Sequence, residues 1–194
     1  MKYSELLDSK KLNKEQLLAW SHQSLIEDLG DITMPSLPAP PMLMFDRITD
    51  IEHNGRKGKI VAEQDIQLDA WFFICHFRND PVQPGCLGVD AIWQLMGMYC
   101  ALRGAQGSGR ALGCKEVDFF GQIRPYNKVV TYEVDIRRYT KVQGTSLAVG
   151  NGSVLVDGEL IYSITDAKVG IFPGIQYSDY PKKSENATGG VLKR

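Results

Sequence analysis

The chain holds three histidines, and one of them lies in a setting suited to proton transfer. His76 stands in WFFICHFRND, with Trp71, Phe72, Phe73, Ile74 and Phe77 around it, directly before a loop rich in proline and glycine over 79–88. Apolar neighbours favour the neutral imidazole that a general base needs, although a core histidine bonded to a backbone carbonyl fits the same context. Asp90 follows as a lone carboxylate at the start of a long apolar stretch. A first-turn acid favoured by the helix dipole is the ordinary reading. Burial among so many apolar neighbours nevertheless demands a partner or a proton for the carboxyl. Gln94, one helical turn later on the same face, is placed to hydrogen-bond it. A general-acid role requires that burial, which keeps the proton on Asp90, outweigh the dipole, which removes it.

Gly85 and Cys86 fall where that helix begins, so their backbone N–H groups are expected to point outward, free to stabilise an oxyanion. The glycine equally suits a plain turn. Cys86 offers a rival chemistry, because a thiol at a helix N-terminus ionises readily and could join His76 and Asp90 in a nucleophilic set for thioester hydrolysis. Packing is the commoner role of such a cysteine. His22, in an N-terminal helix, and His53, in the turn-like HNGRKGK, read as surface residues.

Elements that could position these groups follow from the pattern. Residues 14–29 carry Leu17, Leu18, Trp20, Leu25 and Leu29 at mostly helical spacing before Gly30, which predicts a short helix or helix pair. Four prolines over 34–41 predict an extended linker. Strands are expected over 43–51 and 59–66, and again where Val130, Tyr132, Val134 and Ile136 alternate with polar residues. Asp157-Gly158 marks a two-residue hairpin. Residues 86–103 are apolar on nearly every side and predict a helix buried all round. The expectation is an α+β fold in which an antiparallel sheet wraps a central helix, paired with a second copy that protects a sheet edge. Residues 1–36 form an N-terminal helical segment and linker, 37–172 the main domain, and 173–194 a polar, Gly-rich tail expected to be disordered.

Composition sets the outer limits. With 194 residues, 43% hydrophobic and 23% charged, the chain has room for one sizeable core. Lys plus Arg is 22 against 23 for Asp plus Glu, a net charge of -1, which argues against nucleic acid as a partner. The apolar run over 91–102 is shorter than a membrane span, and charges occupy the N-terminus where a secretory signal needs apolar residues, so a cytoplasmic protein is expected. The four cysteines form no CxxC pair and read as buried thiols, not metal ligands. GSGRALG, over 107–113, is a false match to a dinucleotide-binding loop. Arg137, Arg138 and Lys141, with Arg124 and Lys128, give a local positive excess that fits an acidic partner or simply a solvated strand face.

LPAPPMLMFDRI, DAWFFICHFRNDPVQPGCLGVDAIWQL, GRALGCKEVDFFGQIRP and VDGELIYSITDAKVGIF occur in that order. Across 37–172 the sequence resembles the bacterial 3-hydroxydecanoyl-acyl carrier protein dehydratase/isomerase family. The resemblance implies a hot-dog fold, a homodimer with active sites at the subunit interface, and a reaction on 3-hydroxyacyl and enoyl thioesters of acyl carrier protein without cofactor or metal. It implies His76 and Asp90 as the catalytic pair, Gly85 as oxyanion donor and Val82 as the carbonyl that orients the histidine. Asp90 stands where the similar dehydratase-only family has glutamate. Gln83 departs from the family's usual methionine and bears on pocket polarity.

Overall fold

Hydrophobic alternation in the C-terminal half produces the frame that carries the site. The computed structural model describes residues 1–175, 177 and 179–182. Seven strands form one antiparallel sheet: β1 (Arg47–Asn54), β2 (Lys57–Asp65), β3 (Ser108–Gly113), β4 (Glu116–Phe119), β5 (Val129–Val142), β6 (Thr145–Val156) and β7 (Glu159–Phe172). Their order is β1-β2-β5-β6-β7-β3, and β4 continues along β7 beyond β3. In β5, Val130, Tyr132, Val134 and Ile136 are fully buried. A bulge after Ile136 then shifts the register so that Tyr139 is the next residue to point inward. The β6–β7 turn puts Asp157 and Gly158 at φ 50 and 88, as a hairpin turn with two left-handed residues requires.

Four helices accompany the sheet: α1 (Tyr3–Asp8), α2 (Lys14–Ser21), α3 (Trp71–Cys75) and α4 (Gly85–Leu102). α4 packs across β2, β5, β6 and β7, with Ile92, Leu95, Met96, Tyr99 and Cys100 fully enclosed. By length and composition α4 could cross a membrane, yet 67% of it is buried inside the protein, where it forms the core that the sheet wraps. The expected α+β, hot-dog arrangement is therefore what the chain adopts.

Several local expectations need correction. The helix predicted over 14–29 stops at Ser21, because Gln23 takes a φ of 57 that no helix continues through. Its start is set by a capping box: Gln16 N–H donates to Asn13 Oδ1 and Asn13 N–H donates to Gln16 Oε1, both at 2.9 Å. The strand expected over 43–51 begins at Arg47, since the Met44 amide donates to Gln94 and not to a sheet partner. GSGRALG is itself part of β3, on the sheet edge. Three residues form a bridged network at the β1–β2 end, where Arg47 Nε donates to Glu63 at 2.7 Å and its terminal nitrogens donate to both oxygens of Asp65 at 2.8 Å. The tail expected over 173–194 lies outside the described residues at 176, 178 and 183–194.

Candidate active site

Trp71, Phe72 and Phe73 wind into α3, which places Phe72 and Phe73 in the core and ends at His76, whose amide donates to Phe72 O at 2.8 Å. The following loop folds back on the histidine. Val82 N–H donates to His76 O at 2.8 Å, and His76 Nδ1 lies 3.0 Å from Val82 O. A carbonyl can only accept, so Nδ1 donates in this contact and Nε2 is the ring nitrogen left to act as a base. Phe77 covers one ring face, with centroids 3.7 Å apart. The loop is held from outside as well: Arg124 donates to the Asp80 carboxylate and to Pro81 O, and Gln83 N–H donates to Ile123 O at 3.0 Å.

At the end of the loop Pro84 starts α4 with no side-chain cap, and only the Leu87 amide is taken, by Pro84 O at 3.0 Å. The amides of Gly85 and Cys86 are thus first-turn donors without intrahelical acceptors. Phe119 of β4 lies so close to Gly85 that a Cβ there would meet its ring at 2.6 Å, so any larger residue requires the Phe119 ring to move. Phe119 rests in turn edge-on against Tyr162.

Asp90 is half-buried one turn and a half into α4. Gln94 Nε2 donates to its Oδ2 at 2.6 Å and to Met42 O at 2.8 Å, while Met44 N–H donates to Gln94 Oε1 at 3.2 Å. The expected Asp90–Gln94 contact exists, and Gln94 also ties the chain at 42–44 to the helix. Asp90 opens onto a cavity of about 170 Å³ whose α4 wall continues through Trp93, Gly97, Met98 and Ala101, with Leu37, Val169 and Ile171 opposite. The Trp93 indole N–H is buried with no acceptor among the described residues. His76 is not among the residues that line this cavity.

Other expectations fare differently. His22 is exposed as anticipated, but His53 is half-buried, packed edge-on to Tyr99 at 5.0 Å with both ring nitrogens enclosed and unpartnered among the described residues. Burial, aided by the charges of Arg103 and Lys10, pushes its pKa below the usual 6.5. The signal for this inward turn is weak in the sequence, because alternation in β1 sets it, not the neighbouring HNGRKGK. Cys100 is the one fully buried thiol among the four, and burial pushes its pKa up to about 12; Cys75 and Cys86 are exposed and Cys114 lies between. The buried-thiol expectation therefore fails at Cys75, at the end of α3, and at Cys86, in the first turn of α4.

The basic patch is also less uniform than the sequence implies. Arg137 is paired with Asp166 of β7 at 2.5 Å, and Lys141 donates to Gly104 O at 3.1 Å. Arg138 shares a shallow depression with Lys57, Asp135 and Asp166, so acid from β7 dilutes the charge counted along β5 alone. Gln83 is 1% exposed; its Nε2 donates to Tyr132 Oη at 3.4 Å, and that hydroxyl donates to Gln64 at 2.7 Å. The departure from methionine at 83 thus places a polar chain inside the core, behind the loop that follows His76, and leaves Gln83 Oε1 without a donor among the described residues.

A long helix wrapped by an antiparallel sheet is a hot-dog fold, and here it carries an oriented histidine and uncapped amides at the helix start. Residues 37–165 match the FabA-like domain, and the chain belongs to that family. Among solved structures it is similar to the dehydratase heterocomplex ApeI:P from Xenorhabdus doucetiae, at 12% identity and a TM-score of 0.50, covering 69% of this chain and 85% of that one. It is also similar to the E. coli PaaI protein from the phenylacetic acid degradation operon, at 11% identity and a TM-score of 0.44 over 63% of this chain and 82% of that one. At such identities the likeness is one of fold.

Proposed function

We propose that this protein dehydrates 3-hydroxyacyl thioesters of acyl carrier protein to trans-2-enoyl thioesters and isomerises these to cis-3-enoyl products, as a homodimer. The observation that carries this reading is the 3.0 Å contact of His76 Nδ1 with Val82 O, which occupies Nδ1 as a donor and leaves Nε2 for the role of base. Nε2 takes the C2 proton, the C3–O bond breaks, and the Asp90 carboxyl gives its proton to the departing hydroxide, releasing water. Negative charge building on the thioester oxygen falls to the amides of Gly85 and Cys86. Isomerisation removes a proton from C4 and returns one to C2. None of these steps changes the net oxidation state, so the reaction calls on no cofactor.

Since His76 lies outside the Asp90 cavity of its own chain, the proposal completes each site with Asp90 of a second copy. Exposed apolar side chains support that pairing: Leu68 and Ile74 are 77% and 76% exposed, and Trp71, Phe77, Phe119 and Phe120 are exposed as well. The outer edge of β3, unpaired with any strand among the described residues, offers a second line of contact. For the carrier protein, Arg138 remains the exposed cation of the β5 patch, with Arg137 and Lys141 partly engaged.

Hydrolysis through Cys86 is the second reading, favoured by its exposure at the start of α4. One assay separates the two. On a 3-hydroxydecanoyl thioester the proposal expects enoyl absorbance without free thiol, cis-3 product by gas chromatography, and near-full activity in Cys86→Ser. Thiol release that vanishes in Cys86→Ser would replace the proposal with hydrolysis.

A further inference from the structure

α4 contains three glycines, and two have evident reasons. A Cβ at Gly85 would strike Phe119, and one at Gly88 would lie 2.8 Å from the Tyr162 ring. Gly97 is different: a Cβ there would meet nothing within 4 Å, and its φ is not positive. Glycine inside a helix is destabilising relative to alanine, so neither packing nor backbone geometry asks for it at this position. What Gly97 does is line the Asp90 cavity, on the same helix face as Asp90, Trp93 and Gln94.

Resting on the dehydratase reading above, we propose that Gly97 determines specificity for acyl-chain length by keeping the cavity open for the far end of a medium-length chain. Seven residues separate it from Asp90, about 10 Å along the helix at roughly 1.5 Å per residue. A fully extended chain of single bonds advances about 1.2 Å per bond, judged from the reach of an extended backbone at three bonds per residue, so that depth spans about eight bonds. With the C3 hydroxyl at Asp90, the terminal carbons of a chain of about ten carbons lie beside Gly97. Met98, Ala101, Val169 and Ile171 give the cavity an apolar wall there, with Ser36 and Arg110 among its other lining residues.

The test is Gly97→Leu and Gly97→Ala in the full chain, assayed on 3-hydroxyacyl thioesters of a small thiol from four to twelve carbons. Each methylene kept out of an apolar site costs about fourfold, so displacement of three terminal carbons lowers kcat/KM for the ten-carbon substrate about 60-fold in Gly97→Leu. The four-carbon substrate keeps its wild-type rate, Gly97→Ala falls between, and light scattering gives the wild-type mass. Equal loss at every length, an unchanged chain-length profile, or a change in mass would overturn the proposal. A wild-type protein that dehydrates no substrate would refute the reaction instead. Binding then still reads the cavity, through quenching of tryptophan fluorescence by saturated acyl thioesters of the same lengths. Weakened binding of the ten-carbon ligand alone in Gly97→Leu supports the role of Gly97, and parallel binding across lengths rejects it.

Discussion

Gln94 makes three polar contacts from one side chain, and replacing it by leucine separates their roles. The 2.6 Å bond to Asp90 Oδ2 is the shortest, and the other two join Met42 O and Met44 N–H to α4. A hydrogen bond to a charged or proton-sharing carboxyl is worth about 1.5–3 kcal/mol, whereas a neutral one contributes about 1 kcal/mol. Asp90 is only half-buried, so water replaces part of the lost bond and the lower end applies, about 1.5 kcal/mol or tenfold in rate. Gln94→Leu is therefore expected to lower kcat about tenfold with KM nearly constant. The two backbone contacts add about 1–2 kcal/mol of lost stability in urea unfolding. Steady-state kinetics of dehydration, with unfolding measured in parallel, give both numbers. Lost stability with unchanged kcat would mean that Gln94 only fastens the segment at 42–44, and the account of Asp90 orientation would be wrong.

Three further outcomes follow from burial and charge. Because His53 is held neutral with its pKa below 6.5, the unfolded chain takes up that proton first; stability is level above pH 6.5 and falls as pH drops below it, and His53→Phe should flatten that fall in urea titrations at several pH values. The Asp65 carboxylate is held below its ordinary 3.8 chiefly by hydrogen bonds from Arg47, so it stabilises the fold above that value and ceases to as pH falls further; Asp65→Asn should reduce the acid sensitivity of Tm, and an identical acid limb would count against the network. Iodoacetamide at pH 8 should spare Cys100 in the native protein and modify it only after unfolding, as peptide mass mapping would show; prompt native labelling of Cys100 would contradict its enclosure.

Much of the fold is legible because it rests on long periodic elements. The twelve or so apolar positions of α4 and the alternation of β5 are strong patterns that tertiary packing reinforces. α3 is not legible, since five residues carry too little periodicity and its helix forms because Phe72 and Phe73 find places in the core. The bulge after Ile136 likewise has no sequence mark, yet it decides which of Arg137, Arg138 and Tyr139 faces outward. At the site, the Asp90–Gln94 contact follows from helical spacing alone. The Val82 carbonyl comes from family resemblance, and the loop's support by Arg124 and by Gln83, Tyr132 and Gln64 joins residues far apart in sequence. The neutralisation of Arg137 by Asp166 is equally non-local, which is why charge counted along one strand overstates the patch.

The central claim is that His76 of one chain works with Asp90 of another. His76→Ala and Asp90→Asn, each inactive alone, are unfolded together, mixed in equal amounts and refolded. Random pairing makes half of the dimers mixed, each with one intact site and one doubly altered site, so about a quarter of wild-type activity should return. Activity that stays at the level of the separate variants, while the mixed dimer is present by mass, would place both residues in the same chain's site and contradict the account.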